Sequence, residues 1–117
     1  MIQHNNDKGS VTVNAAVYTE IAGTAATNCF GVKGMVARSK RDGLVHLLRK
    51  ESLGKGGHVT FHEDESITVD LHSMVDHGVN LTAMGNSVIE RVQYEVQRCT
   101  GTNVRHVNIF VESMMIG

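Results

Sequence analysis

The chain of 117 residues is predicted to have an α+β fold, a small single domain in which two main helices pack on one sheet. Two segments, 15–30 and 81–100, repeat apolar residues at helical spacing, whereas the stretches around them alternate apolar and polar residues as strands do. The predicted order is β-α-β-(α)-β-β-α-β, with one mostly antiparallel or mixed sheet. We expect residues 1–9 to form a disordered polar lead and residues 10–117 to form the domain.

The first predicted elements are a strand, a helix and a second strand. Residues 10–13 alternate with period two, and Asn14 can then cap a helix. The helix has a face of small apolar residues: Val17, Ile21, Ala22, Ala25, Ala26 and Cys29. Gly31 is expected to end this helix, and Val32–Arg38 to form a strand with a bulge or a close backbone approach at Gly34.

The middle of the chain is predicted to contain a helix and then a hairpin. Leu44, Leu47 and Leu48 share one helical face, which predicts a helix over residues 42–53. Strands around Val59 and over 67–76 follow as the hairpin. A two-residue loop would place their apolar sets on opposite faces of the sheet, so we predict an odd loop length or a bulge.

The longest predicted helix lies between Asn80, which can cap its start, and Gly101, which can cap its end. Its apolar stripe consists of Leu81, Met84, Val88, Ile89, Val92, Val96 and Cys99. Gly85 inside this helix costs about 1 kcal/mol against Ala, which predicts a tight packing contact there. A final strand is predicted around residues 107–111.

Composition excludes several classes of protein. Hydrophobic residues make up 41% of the chain, too many for a disordered protein, and two cysteines are too few for a disulfide framework. There is no apolar run long enough to span a membrane and no signal-peptide pattern, so we expect a cytoplasmic protein. Membrane association is then expected only through a partner, or peripherally through the helix over 42–53.

Histidines are the main candidates for chemistry. His58, His62 and His72 are predicted to lie on the polar face of the hairpin, and a three-residue loop would place His58 opposite either Asp70 or His72. Zinc needs three or four converging ligands, but the chain has no H-x-x-x-H, C-x-x-C or H-E-x-x-H spacing. A small-ligand or metal-binding protein or enzyme that uses these histidines is therefore the alternative hypothesis.

No catalytic residue, metal or cofactor is predicted. The G-x-S-x-G motif of a serine nucleophile does not occur in the sequence. Cys29 and Cys99 lie on the apolar stripes of the two main helices, so we expect both to be buried free thiols that act as small hydrophobes. We therefore do not expect an enzyme.

Charge is distributed unevenly along the chain. Residues 38–55 carry six bases and two acids, whereas residues 56–77 carry five acids and no base. Two solvated faces would explain this pattern, and so would docking between copies of the chain or onto a charged protein partner. The candidate partner-binding residues are Arg38, Lys40, Arg41, Arg49 and Lys50. Nucleic acid is not an expected partner, because no aromatic residue is interleaved with these bases.

Several segments together resemble the alkaline shock protein family of envelope stress response proteins. They are IAGTAA at 21–26, CFGVKGM at 29–35, VDHGVN at 75–80 and VNIFV at 107–111. DGL at 42–44 and LLRKE at 47–51 point more narrowly to the short YloU-like members. The similarity covers residues 10–112, nearly the whole chain.

The resemblance implies a protein of Gram-positive bacteria with a part in cell-envelope homeostasis and without an established activity or cofactor. It also implies a link to a dihydroxyacetone-kinase-like kinase that acts on fatty acids, since YloU-like members are often encoded beside one. His58, His72 and His77 depart from the family pattern. The predicted function is a non-catalytic interaction or scaffold module in envelope stress or homeostasis, which binds protein partners and, as a further option, itself.

Overall fold

The computed structural model describes residues 2–38, 45–47 and 56–115. The fold is α+β, as predicted from the sequence. Its elements, in chain order, are β1 (Ile2–Asn6), β2 (Gly9–Val13), α1 (Ala15–Thr27), β3 (Val32–Arg38), β4 (Val45–Leu47), β5 (Gly57–Phe61), β6 (Ile67–Asp76), α2 (Leu81–Thr100) and β7 (Val104–Met115).

Strand β6 is the centre of a mixed five-stranded sheet. β5 and β3 pair antiparallel with the first and second halves of β6, and β4 pairs antiparallel with β3. β7 pairs with β6 in parallel along its whole length, so it must occupy the opposite edge of β6 from β5 and β3. The parallel direction follows from the connection, because α2 carries the chain back to the starting end of β6.

The core lies between one face of this sheet and the two helices. On β6, residues alternate strictly between buried and half-buried, and Ile67, Val69, Leu71, Ser73 and Val75 face the core. α2 contributes the predicted stripe from Met84 through Val88 and Val92 to Val96. The half-buried residues of β6 lie on the other face of the sheet, where period-two alternation places them.

The expected disordered lead is corrected by the structure. Ile2–Asn6 forms β1, which pairs antiparallel with β2 in a separate two-stranded sheet. Asn6 stabilises the turn by accepting a hydrogen bond from the Lys8 backbone N–H at 2.8 Å. Four polar residues follow Ile2, so the sequence has no apolar alternation to reveal this strand.

The predicted helix over residues 42–53 is wrong at its centre, because Val45–Leu47 forms strand β4. β4 pairs with backbone groups at the edge of β3 that would otherwise be unpaired. The stabilisation from this strand pairing is larger than the helix preference indicated by the spacing of the leucines. A membrane-contacting helix is therefore not formed at the centre of this segment. Residues 42–44 and 48–53 lie outside the described residues.

The hairpin between β5 and β6 has the odd loop length predicted from its apolar pattern. Phe61 pairs with Ile67, and the His62 N–H donates to the Ser66 carbonyl at 3.0 Å, which leaves a three-residue loop. The last loop residue, Glu65, is left-handed with φ 66°, as three-residue hairpin loops require. His58 consequently lies opposite Asp70, one of the two predicted partners.

Three of the four predicted helix ends are confirmed, whereas the predicted end of α1 at Gly31 is wrong, because α1 ends at Thr27 and Asn28 is its C-cap. Asn14 and Asn80 cap the two helices, and Gly101 ends α2 with φ 75°. In α1, however, the buried face is turned towards Tyr18, whose hydroxyl shares a 2.7 Å hydrogen bond with Thr102. Val17, predicted to be on the buried face, is 39% exposed. The Tyr18 side chain is fully buried and its ring contacts that of Phe61 on β5, so this residue lies on the face of α1 that packs against the sheet.

Gly34 and Gly85 were predicted to mark a bulge and a tight packing contact, respectively, and only the prediction for Gly34 is confirmed. The sheet register shifts between Val32 and Gly34, which confirms the predicted bulge. The predicted tight contact at Gly85 is wrong, because a Cβ placed there would have no neighbouring atom within 4 Å.

Candidate interaction surface

Two of the segments that carry the family resemblance meet beside the start of α2. The Asp76 N–H donates to the Gly31 carbonyl at 2.8 Å, which ties the end of β6 to the turn after α1. Gly31 has φ +91°, and a Cβ on it would lie 2.7 Å from Cγ2 of Val79. The turn therefore requires glycine. The residue immediately before it, Phe30, is 92% exposed.

Phe30 borders a groove that follows the junction of α1 and α2. The first hollow has a volume of about 420 Å³ and is lined by Phe30, Cys29, Val79, Asn80, Ala83, Met84, Ser87 and Arg91. The second has a volume of about 370 Å³ and is lined by Glu20, Ile21, Thr24, Ala25, Asn28, Arg91, Glu95 and Cys99. Arg91 belongs to both hollows, so they adjoin along the helix pair.

The charged groups of the groove are held in place by one another. Glu95 accepts from the Arg98 guanidinium at 2.8 Å and lies 3.5 Å from that of Arg91. The hydrogen bond from Arg98 lowers the pKa of the Glu95 carboxyl, so this group stays ionised. The groove thus combines apolar walls with a fixed charged border, an arrangement suited to the side chains of a protein partner.

The cysteines lie along this groove rather than within the core. Cys29 is half-buried and its Sγ is 3.5 Å from the Ala25 carbonyl oxygen, while Cys99 is exposed. The prediction of two buried thiols is therefore wrong for Cys99, which lies at the last turn of α2, beyond the part of the stripe that meets the sheet. Burial raises the pKa of the Cys29 thiol, so at neutral pH it is protonated and weakly nucleophilic.

Two of the three candidate histidines have partners of their own on the face of the sheet opposite the helices. Nε2 of His62 lies 2.7 Å from the Thr68 hydroxyl, within hydrogen-bonding distance. Nδ1 of His72 lies 2.6 Å from a Glu112 carboxylate oxygen, and the ring stacks on Phe110. His58 is exposed on β5. Among the described residues, no three His, Cys, Asp or Glu groups lie close enough together to hold a metal ion.

The acidic segment is partly neutralised by groups from other elements. Asp64, in the hairpin loop, accepts from Arg105 at 2.7 Å, and Asp76 forms an ion pair with Lys33 at 3.2 Å. Asp70 accepts from the Asn108 amide at 2.8 Å. Of the predicted basic residues, Arg38 ends β3, and the other four (Lys40, Arg41, Arg49 and Lys50) lie outside the described residues.

Sequence reasoning did not single out Phe30. Aromatic residues make up only 4% of the chain, and this phenylalanine was considered only as part of a resemblance motif. Phe30 lies three residues after the end of α1, immediately before the Gly31 turn, and no local pattern in the sequence indicates that its side chain is exposed. Its exposure depends on how β6 meets that turn, which is a tertiary property.

The fold and this surface define a small α+β domain with an exposed aromatic residue beside a groove between its helices. The model of the alkaline shock protein 23 family, described as having a cell envelope-related function, matches residues 3–116. The chain belongs to this family.

Curated relatives are similar over most of their length. The chain is 32% identical to the uncharacterized protein YloU of Bacillus subtilis (strain 168) over 109 residues, which are 92% of this chain and 90% of the relative. It is 29% identical to the uncharacterized protein Spy1614 of Streptococcus pyogenes serotype M6 over 116 residues, which are 98% of this chain and 95% of the relative. No solved structure matches significantly. In the described part of the chain, neither helix is long and apolar enough to cross a membrane.

Proposed function

We propose that this protein is a non-catalytic interaction module that serves the cell envelope by binding a protein partner along the groove beside Phe30. The single observation that carries the proposal is the 92% exposure of this phenylalanine. Aromatic side chains are enriched at the buried centres of protein interfaces, where they dominate the binding energy. Phe30 stands beside an apolar hollow with a fixed charged border, which gives a partner both an anchor and an orientation.

The basic residues of the chain belong to the same proposal. We propose that an acidic partner is attracted and oriented by these residues, because charge complementarity raises the rate and specificity of docking. They are Arg38, Lys40, Arg41, Arg49 and Lys50. A dihydroxyacetone-kinase-like kinase that acts on fatty acids is the first partner to test, and it is suggested by the family resemblance alone. We expect the protein to act in the cytoplasm and to reach the membrane through such a partner.

Replacing the exposed aromatic tests the proposal. The Phe30→Ala variant is expected to lose roughly tenfold of the partner recovered by cross-linking in cells and quantitative mass spectrometry, since a central aromatic anchor contributes at least that much to binding. Its fold should be unchanged, because the side chain is exposed. In a second arm, Arg49→Glu with Lys50→Glu should also reduce recovery if the basic residues take part.

Tyr94→Ala is the matched control for this experiment. Tyr94 is an exposed aromatic residue on α2 that lines neither hollow of the groove. It should recover the partner as the wild-type protein does. Equal recovery by the Phe30 and Tyr94 variants would contradict the proposed binding surface.

A further inference from the structure

Strand β7 has an outer edge that is unpaired within the described residues. It extends over Val104–Met115 and pairs only with β6 there. At its start, the Asn103 carbonyl accepts from Ile67 on the β6 side, so the next carbonyl, that of Val104, points away from the sheet. The Gln93 side-chain amide donates to that outward carbonyl at 3.4 Å. This carbonyl at the start of the outer edge is therefore bound by a side chain of α2.

The register of β7 against β6 shifts between Val104 and His106 and between Val111 and Ser113, but the five residues between these irregularities lack the features that usually prevent edge strands from pairing. Residues 107–111, VNIFV, contain no charge and no proline. Phe110 and Val111 are exposed, and Leu81 beside them on α2 is exposed as well. In monomeric proteins, edge strands normally carry an inward-pointing lysine, a proline or a charge at such positions.

We propose that this edge pairs with the same edge of a second copy, so that two β7 strands run antiparallel about a two-fold axis at Ile109. A two-fold axis perpendicular to a sheet places residues of one face opposite residues of the same face. With the axis at Ile109, Val107 lies opposite Val111 of the second copy. On the other face, Asn108 lies opposite Phe110 of the second copy.

Neighbouring registers match less well. An axis at Asn108 would place Val111 opposite Arg105, and an axis at Phe110 would place Val107 opposite Ser113. Of these three axes, only the one at Ile109 pairs Val107 of one copy with Val111 of the other. This self-complementarity is the reason for choosing a second copy of the chain rather than an unrelated strand as the occupant.

A groove beside the edge supports the same assembly. It has a volume of about 550 Å³ between the start of α2 and β7 and is lined by Leu81, Met84, Ile89 and the residues of the strand centre. A second copy would bring its own Leu81 and Val111 across the axis and remove this apolar surface from water. The two sheets would join into one continuous sheet.

A lysine at the edge tests the proposal. The wild-type chain should sediment as a dimer at about 100 μM, whereas Val111→Lys should raise the dimer dissociation constant at least tenfold, because an edge lysine opposes strand pairing. Val17→Lys is the matched control, since Val17 on α1 is 39% exposed and Val111 is 38% exposed. A monomeric wild-type chain, or equal dissociation of the two variants, would overturn the proposal.

Cysteine cross-linking tests the register independently of that variant. In a background of Cys29→Ser and Cys99→Ser, Asn108→Cys and Phe110→Cys should be oxidised to a mixed disulfide faster than either variant alone, because these positions lie directly opposite across the axis. If either variant alone forms a disulfide faster than the mixture does, the two copies pair in another way and the proposed interface is wrong. Phe30→Ala should still dimerise, which separates this result from the test of partner binding.

Discussion

At the scale of single residues, the backbone conformation of Gly31 determines the position of the exposed Phe30. Its left-handed backbone and its closeness to Val79 leave no room for a side chain, and its carbonyl is bound by the Asp76 N–H. The turn is therefore fixed from both sides, and Phe30 is directed towards solvent. A substitution here acts on stability and on the binding surface together.

Gly31→Ala is expected to lower the free energy of unfolding by about 1–3 kcal/mol, through the strained backbone and the displaced Val79. Urea denaturation followed by circular dichroism measures the change. Gly85→Ala is the control: a Cβ there meets nothing within 4 Å, so alanine should stabilise the helix by about 0.5–1 kcal/mol. If both variants lose stability to the same extent, the account of the Gly31 turn is wrong.

At the scale of elements, the β5–β6 hairpin is locked by Asp64. Its carboxylate accepts from the Ser66 hydroxyl at 2.6 Å, from the Ser66 N–H and from Arg105 of β7. These bonds, first of all the one from the Ser66 hydroxyl, hold the pKa of Asp64 well below its usual range. The loop thereby connects the hairpin to the strand on the far side of β6.

The depressed pKa predicts how stability depends on pH. Because the folded state holds the Asp64 proton less tightly than the unfolded state, its contribution is present at neutral pH and is lost as pH falls below about 4. Asp64→Asn should therefore be less stable than the wild-type protein at pH 7, and this difference should shrink in acid. Thermal unfolding between pH 7 and pH 2 checks this prediction.

Arg105→Gln is the companion variant for that experiment. It removes the ion pair and leaves both bonds from Ser66, so its loss of stability at pH 7 should be smaller than that of Asp64→Asn. A pH-independent difference between Asp64→Asn and the wild-type protein would reject the role of this carboxylate.

At the scale of the whole molecule, the two sheets are joined through the first described residue. Ile2 is 5% exposed and belongs to the same core cluster as the residues of β6 and both helices. Val13, which pairs with Ile2 in the β1–β2 hairpin, is half-buried against the same core, and the other residues of the two strands are exposed, so these two side chains anchor the hairpin to the domain. The start of the chain is thus part of the folding unit.

Ile2→Ser is expected to lower the free energy of unfolding by about 2–4 kcal/mol, because it removes a buried apolar side chain and places a hydroxyl in the core. Val11→Ser, at an exposed position of β2, should change it by less than about 0.5 kcal/mol. Chemical denaturation of the two variants side by side provides the comparison. Similar stability of Ile2→Ser and the wild-type protein would mean that the hairpin is not anchored.

The candidate site was only partly predictable from the sequence. The resemblance motifs contain Phe30 and Gly31, and the alternation in the hairpin placed His58 opposite one of two residues, of which the structure selects Asp70. The partners of His62 and His72, by contrast, depend on contacts that local alternation does not encode. His72 meets Glu112 only because β7 runs parallel to β6, and residues 40 positions apart carry no shared local signal.

By itself, the sequence determined the α+β class, the caps at Asn14, Asn80 and Gly101, and the odd hairpin loop. These features depend on side-chain period and on backbone groups within a few residues, so short windows contain them. Only the tertiary structure decided that residues 2–6 and 45–47 are strands, that β7 lies at the edge and that Phe30 faces solvent. β4 and the edge position of β7 depend on pairing with strands elsewhere in the chain, and the exposure of Phe30 depends on how the end of β6 binds the turn after α1. β1 pairs with the neighbouring β2, but its polar residues carry no alternation that would predict a strand.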